Sequence, residues 1–171
     1  MKENLTMNKK TNLGLVQYCK MQIGSPYWYG TFGQLSTEEL LKVKRKQYPR
    51  YYVAKDFEKQ FGRKVHDCIG LIKGYMWCEN PTDVNPKYQS NGFKDISADM
   101  LWNLAKCKGG SMSSMPDIPG ITVHMKGHVG VYIGNGEVIE ARGHAFGVVV
   151  TKLKDRKWNK WAFINEIEYN Y

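Results

Sequence analysis

The sequence has no run of eighteen apolar residues, so it offers no segment long enough to cross a bilayer as a helix. Its opening stretch, MKENLTMNKK, lacks the apolar centre of a secretory leader; synthesis in the cytoplasm without a signal peptide is the expectation. None of the four cysteines (Cys19, Cys68, Cys78, Cys107) sits in a Cys-x-x-Cys pair, and free thiols of a reducing compartment are expected. Zinc-finger spacing and RNA-recognition signatures are also missing, so nucleic acid is a poor candidate partner. There is no internal repeat and no linker. Acidic residues are outnumbered, 16 against 25 basic ones, giving a net charge of +9. That excess fits either a plain solvated surface or attraction to a polyanion.

What is present is enough for one core. A chain of 171 residues, 42% apolar and 13% aromatic, can bury roughly 70% of its unfolded surface. Residues 1–10 read as a flexible lead-in and 11–171 as a single domain. Leu13, Val16, Cys19, Lys20 and Ile23 fall near one face of a helix over 12–23, stopped by Gly24. Ser36-Thr37-Glu38-Glu39 is a capping box for a helix reaching Gln47. A further helical stretch is expected over 53–61. Asp67 caps a helix over 68–78 and Ser97 one over 98–106. Residues 79–95 are rich in turn formers, a loop long enough to act as a lid or a substrate wall. From Ile121 onward the period becomes two, with strands expected at 121–125, 128–134, 137–142, 146–152 and 161–168. Asn135-Gly136 marks a hairpin, since both central positions of its turn favour positive φ. Helices followed by antiparallel strands specify an α+β fold, with N-terminal helices packed on a C-terminal meander sheet.

Three residues stand out chemically. Cys68 falls in the first turn of a helix, where unpaired N–H groups and the positive dipole end favour a thiolate and can face an oxyanion. Gly70 beside it leaves little bulk. His128 opens a strand whose period places it on one face with Gly130, Tyr132 and Gly134, leaving room for another element such as the Cys68 helix. Its imidazole is suited to taking the thiol proton. Simple pairing about the Asn135-Gly136 turn sets Val131 near Glu140, roughly diagonal to His128, so that Glu140 can orient the ring. His66 reads as a loop or substrate-facing residue. His124 with His128 imitates a His-x-x-x-His zinc pair, although the flanking residues favour strands over the helix such a pair needs. His144 is a turn residue and a second candidate to orient His128.

These motifs resemble the NlpC-type cell-wall cysteine peptidases, which have a papain-like α+β fold. Gly24-Ser25-Pro26-Tyr27-Trp28-Tyr29-Gly30 is similar to the family's aromatic segment and Asp67-Cys68-Ile69-Gly70-Leu71 to its nucleophile motif. His128 through Ala141 is similar to its histidine hairpin, and the three occur in the family's order across residues 12–150. The sequence departs from the pattern in having Glu140 where a histidine is usual, Ile69 where serine is usual, and an insertion over 31–66.

The resemblance implies Cys68 as nucleophile, His128 as base and Glu140 as orienter, with Tyr27, Trp28, Asp67 and Arg142 around the substrate or oxyanion. It implies hydrolysis of peptidoglycan stem peptides between D-γ-glutamyl and a diamino acid through a thioester, with no metal or cofactor. Arg142 or Lys126 would meet stem carboxylates. The basic charge would suit anionic wall polymers, and the enzyme would be a monomer acting on the wall after release, as a phage or prophage lysin does. Other readings are a Cys-His amidase or acyltransferase on another amide, an inactive wall-binding module, or a zinc hydrolase.

Overall fold

The computed structural model describes residues 9–171. Residues 1–8 of the expected lead-in lie outside the described residues. Lys9 and Lys10 belong to the folded body: Lys10 is buried, and its Nζ donates to the Cys78 carbonyl at 2.7 Å.

Among the described residues there are four α-helices: α1 (Asn12–Met21), α2 (Glu38–Gln47), α3 (Cys68–Trp77) and α4 (Ala98–Ala105). Each starts where a side chain satisfies an orphan N–H of the first turn: Thr11 to Gly14, Thr37 to Leu40, Asp67 to Gly70 and Ser97 to Met100. The cap of α2 is Thr37; the Ser36 hydroxyl instead donates to the Gln60 and Arg63 carbonyls. The helix expected over 53–61 is not formed. A single 3₁₀ turn, Phe57–Gln60, forms within that stretch, and another, Pro49–Tyr51, precedes it. The buried side of α1 is Asn12, Leu15, Val16, Tyr18 and Cys19, while Leu13 and Ile23 are exposed. Tyr18 and Asn12 carry polar tips that find partners inside, and that moves the inward face away from the one set by Leu13 and Ile23.

A small antiparallel pair joins β1 (Phe32–Leu35) to β2 (Lys64–His66), both inside the inserted segment and neither foreseen. The main sheet has β3 (Gly109–Ser111), β4 (Thr122–Met125), β5 (His128–Gly134), β6 (Glu137–Ala141), β7 (Val148–Lys152) and β8 (Lys160–Ala162). Their order is β3-β8-β4-β5-β6-β7, with the meander β4 to β7 at its heart. The last strand is shorter than the expected 161–168.

One face of this sheet presents Val129, Val131, Ile139 and Ala141 to α1 and α3, forming the main core with Leu15, Leu71, Ile72 and Met76. The other presents Val123, Tyr132 and Val138 to Trp158 and a layer of Met and aromatic side chains. Trp28, Leu41, Tyr52, Phe57 and Val65 make a separate satellite core under the insert.

The β5–β6 hairpin carries a one-residue irregularity. Gly134 pairs with Glu137 across the Asn135-Gly136 turn, yet Tyr132 pairs with Val138 and Val131 with Ile139. Ile133 is thus a bulge, and Gly134 beyond it has φ 93°, a conformation open to glycine. The register expected from simple pairing is off by one. Val131 faces Ile139, and continuing the ladder sets Glu140 opposite Gly130.

Candidate active site

Cys68 occupies the first position of α3, held there by Asp67. That carboxylate accepts from the Gly70 amide at 2.7 Å and from the Gly30 amide at 2.8 Å, so it fixes the helix start and the aromatic segment together. Asp67 is nearly buried and accepts only, so it serves as scaffold and donates nothing to an oxyanion. The backbone amides of Val129, Ile69 and Cys68 itself act to lower the thiol. Cys68 is partly buried against the core to which Val129 belongs.

The expectation of a resting thiolate is corrected. Burial first, and then the Asp67 charge, push the Cys68 thiol up to about 12, outweighing those three amides. The helix terminus faces the sulfur but does not ionise it unaided.

His128 Nε2 lies 2.6 Å from Glu140 Oε2. With that nitrogen taken, Nδ1 is the ring nitrogen not engaged by Glu140. The imidazole stacks on Trp158, centroids 5.4 Å apart and planes within 14°. A Cβ on Gly130 would come within 2.6 Å of Val138 and 3.0 Å of Trp158. The space beside His128 is therefore filled by Trp158, not by the Cys68 helix, which packs on the opposite sheet face. α3 and Trp158 thus flank β5 on its two faces.

Glu140 is wholly buried. Besides His128 it accepts from Thr151 Oγ1 at 2.7 Å and from Arg156 Nε and Nη2 at 2.7 and 2.9 Å. Burial alone would raise its carboxyl; the bonds from His128, Arg156 and Thr151 outweigh this and bring it to about 2. The group is a fixed anion. Thr151, Arg156 and Trp158 were not identified from the sequence. Thr151 was within reach of the period-two pattern, since β7 pairs with β6 and Val138 faces Thr151. Arg156 follows a 3₁₀ turn, Leu153–Asp155, and carries no periodic signal.

The remaining candidates separate clearly. Tyr27 is half-buried against the core beside Cys68 and lines the same cleft; burial, then the thiol's proximity, raises its hydroxyl well above the usual phenol range. Trp28, expected near substrate, has no exposed surface and gives its Nε1–H to Gln60 at 2.7 Å, so it lies behind the cleft wall. The Arg142 guanidinium rests 4.2 Å over the Phe146 ring and does not line the cleft. His66 is buried on β2, not exposed on a loop: its Nε2 is 2.9 Å from the Tyr18 hydroxyl, and burial drives it down to about 3. His144 Nε2 pairs with Asp56 at 2.7 Å, which removes it as an orienter of His128. His124 is buried with Nε2 on Thr122 Oγ1 at 2.7 Å, so this nitrogen is not presented to a metal with His128. All four cysteines are free.

In front of Cys68 opens a cleft of about 720 Å³. One wall is the insert, through Lys44, Gln47, Tyr48 and Tyr51; Tyr29 stacks on Tyr51 at 3.7 Å. The facing wall includes Tyr88 and Asp95 of the 79–95 loop, with the cap Ser97 and Asp99 of α4.

This arrangement of helix, hairpin and cleft recurs in solved structures. The P60 domain of an antigen from M. avium subspecies paratuberculosis superposes with TM-score 0.52 at 20% identity, covering 92% of this chain and 96% of that one. The chain has the NlpC/P60 fold. The peptidoglycan hydrolase RipB from Mycobacterium tuberculosis aligns with TM-score 0.50 at 19% identity over 92% of this chain. This chain spans 65% of RipB's length. No protein-family model and no curated protein sequence matches the chain.

Proposed function

We propose that this chain is a cysteine endopeptidase that hydrolyses peptidoglycan stem peptides at the amide between D-γ-glutamyl and a diamino acid. The observation that carries the reading is the buried Glu140 carboxylate gripping His128 Nε2 at the head of β5, the strand on which the Cys68 helix packs. The fold shared with structures of peptidoglycan hydrolases supports the substrate class, and the +9 charge suits an anionic wall. Release from the producing cell and action on the wall, as in a phage or prophage lysin, belong to the same proposal.

In this mechanism the scissile carbonyl enters the cleft over Cys68. Because the thiol is held up, His128 Nδ1 removes its proton as sulfur attacks, and the imidazolium is stabilised by Glu140. The oxyanion of the tetrahedral intermediate is met by amides of the first turn of α3, with the Tyr27 hydroxyl alongside. Collapse breaks the C–N bond, the imidazolium protonates the departing amine, and a thioester remains. Water, deprotonated by His128, then attacks the thioester and restores the thiol. Glu140 stays ionised throughout, held by Arg156 and Thr151.

The test is mass spectrometry of purified peptidoglycan after digestion. Wild type is expected to release fragments ending in D-γ-glutamyl, and Cys68→Ala to lose activity on the order of 10⁴-fold while melting as wild type does. A fully active Cys68→Ala protein would falsify the nucleophile. Fragments ending elsewhere would reassign the bond and favour another amide substrate.

A further inference from the structure

Two lysines line the cleft, and their surroundings differ. Lys73 is paired, with Nζ 2.5 Å from Asp95 Oδ1. Lys44, in the last turn of α2, is 9% exposed and has no carboxylate partner among the described residues. Its one side-chain hydrogen bond is to Gln47 Oε1 at 3.2 Å, and its ammonium stands 5.6 Å from the Tyr48 ring centroid. An ammonium has three donors. The nearby carboxylates are committed elsewhere, Asp67 to the Gly30 and Gly70 amides, Asp95 to Lys73 and Tyr88. Burial lowers Lys44 from the usual lysine range, and Asp67 and Asp95 act against that. A desolvated cation without a partner is unfavourable, and an anion entering the cleft would relieve it.

We infer that Lys44, contributed by the inserted segment, binds a free carboxylate of the peptide in the cleft and selects against substrates that carry a carboxamide at that position. The inference rests on the peptidase reading above. Two carboxylates flank the bond proposed there: the α-carboxylate of the γ-linked D-glutamyl residue and the carboxylate of the diamino acid. Either supplies the same chemistry, a planar anion able to take two of the unused donors. The ε-ammonium adds charge where the helix C-terminus and the Tyr48 ring already favour a cation. Neither Arg142 nor Lys126, the cations expected from the sequence to meet stem carboxylates, lines this cleft.

The experiment uses four synthetic tripeptides, L-Ala-D-γ-Glu-L-Lys, with the glutamyl α-carboxyl and the lysyl carboxyl each free or amidated. Wild type is expected to prefer the free acid at one position by about ten- to a hundredfold in kcat/KM, the range of a charge-assisted hydrogen bond. Lys44→Met should collapse that preference to within about threefold, mainly through KM, while Lys44→Arg keeps most of it. The position at which amidation ceases to matter in Lys44→Met identifies the carboxylate. Equal cleavage of all four by wild type, or an intact preference in a folded Lys44→Met protein, overturns the role of Lys44 and leaves the peptidase standing. Failure of wild type to cleave any of the four overturns the peptidase reading and this inference with it.

Discussion

Glu140 and His128 share a face of the sheet only because Ile133 bulges. Without the bulge, Glu140 would lie opposite Val131 and point into the helical core. With it, Glu140 faces Gly130, one pleat from His128, and the Nε2–Oε2 contact of 2.6 Å forms. Arg156 and Thr151 then secure a carboxylate that would otherwise be a buried charge without partners.

Replacing Glu140 with Gln keeps the shape and removes the anion. The imidazolium loses its counter-charge, and Arg156 loses its carboxylate. We expect kcat on peptidoglycan to fall about a hundred- to ten-thousandfold, with stability reduced by about 2–4 kcal/mol. Unchanged turnover in a folded variant would remove Glu140 from the mechanism.

The same carboxylate predicts an acid limb in stability. Its folded value, about 2, lies below its ordinary value of 4.5. The stabilisation is therefore fully present above pH 4.5 and is lost as pH falls from there towards 2, on the order of 3 kcal/mol in all. Chemical unfolding followed between pH 6 and pH 2 should show the loss in wild type and a shallower slope in Glu140→Gln. Parallel slopes in the two proteins would contradict it.

The Cys68 thiol, raised to about 12 by burial and by Asp67, should be slow to alkylate with iodoacetamide at neutral pH without ligand. Its rate should climb through the alkaline range as thiolate appears. Asp67→Asn removes the repelling charge and should move that profile to lower pH. The asparagine Oδ1 can still cap Gly70, but its amide cannot accept from Gly30, so about 1 kcal/mol of stability should go. A profile that stays put in Asp67→Asn would show that the charge does not act on the sulfur.

Two glycines near the site are expected to respond differently to alanine. On Gly70 a Cβ would collide with the Thr31 carbonyl oxygen, which is backbone and cannot yield. Gly70→Ala should cost more than about 3 kcal/mol or prevent folding. On Gly130 the Cβ meets the Val138 methyl and the Trp158 ring edge, both side chains. Gly130→Ala should cost about 1–3 kcal/mol and lower kcat by displacing Trp158 from His128. Thermal melts with turnover on both variants decide this, and wild-type behaviour of Gly70→Ala would refute the close approach of α3.

The helix starts at Asp67 and Ser97, the α2 start to within one residue, and the Asn135-Gly136 hairpin were legible because each is set by residues a few positions apart, through a cap or a turn. So was the order of helices before strands, and with it the fold class. Cys68 at the head of α3 and His128 at the head of β5 follow from the same local signals.

What local signals did not contain was the environment of each group. The bulge at Ile133, the ionisation of Cys68, the burial of Trp28 and His66, and the pairing of His144 with Asp56 depend on residues distant in the chain. Arg156, Trp158 and Lys44 have no pattern of their own, and only packing brought the first two to His128 and Glu140 and set the third in the cleft. The sequence by itself determined which elements form and which of them carry a thiol and an imidazole, because backbone capping and periodicity are short-range. Tertiary structure decided which charges are buried, which are paired and which await a partner, because desolvation and Coulomb energies depend on everything that surrounds a group in space.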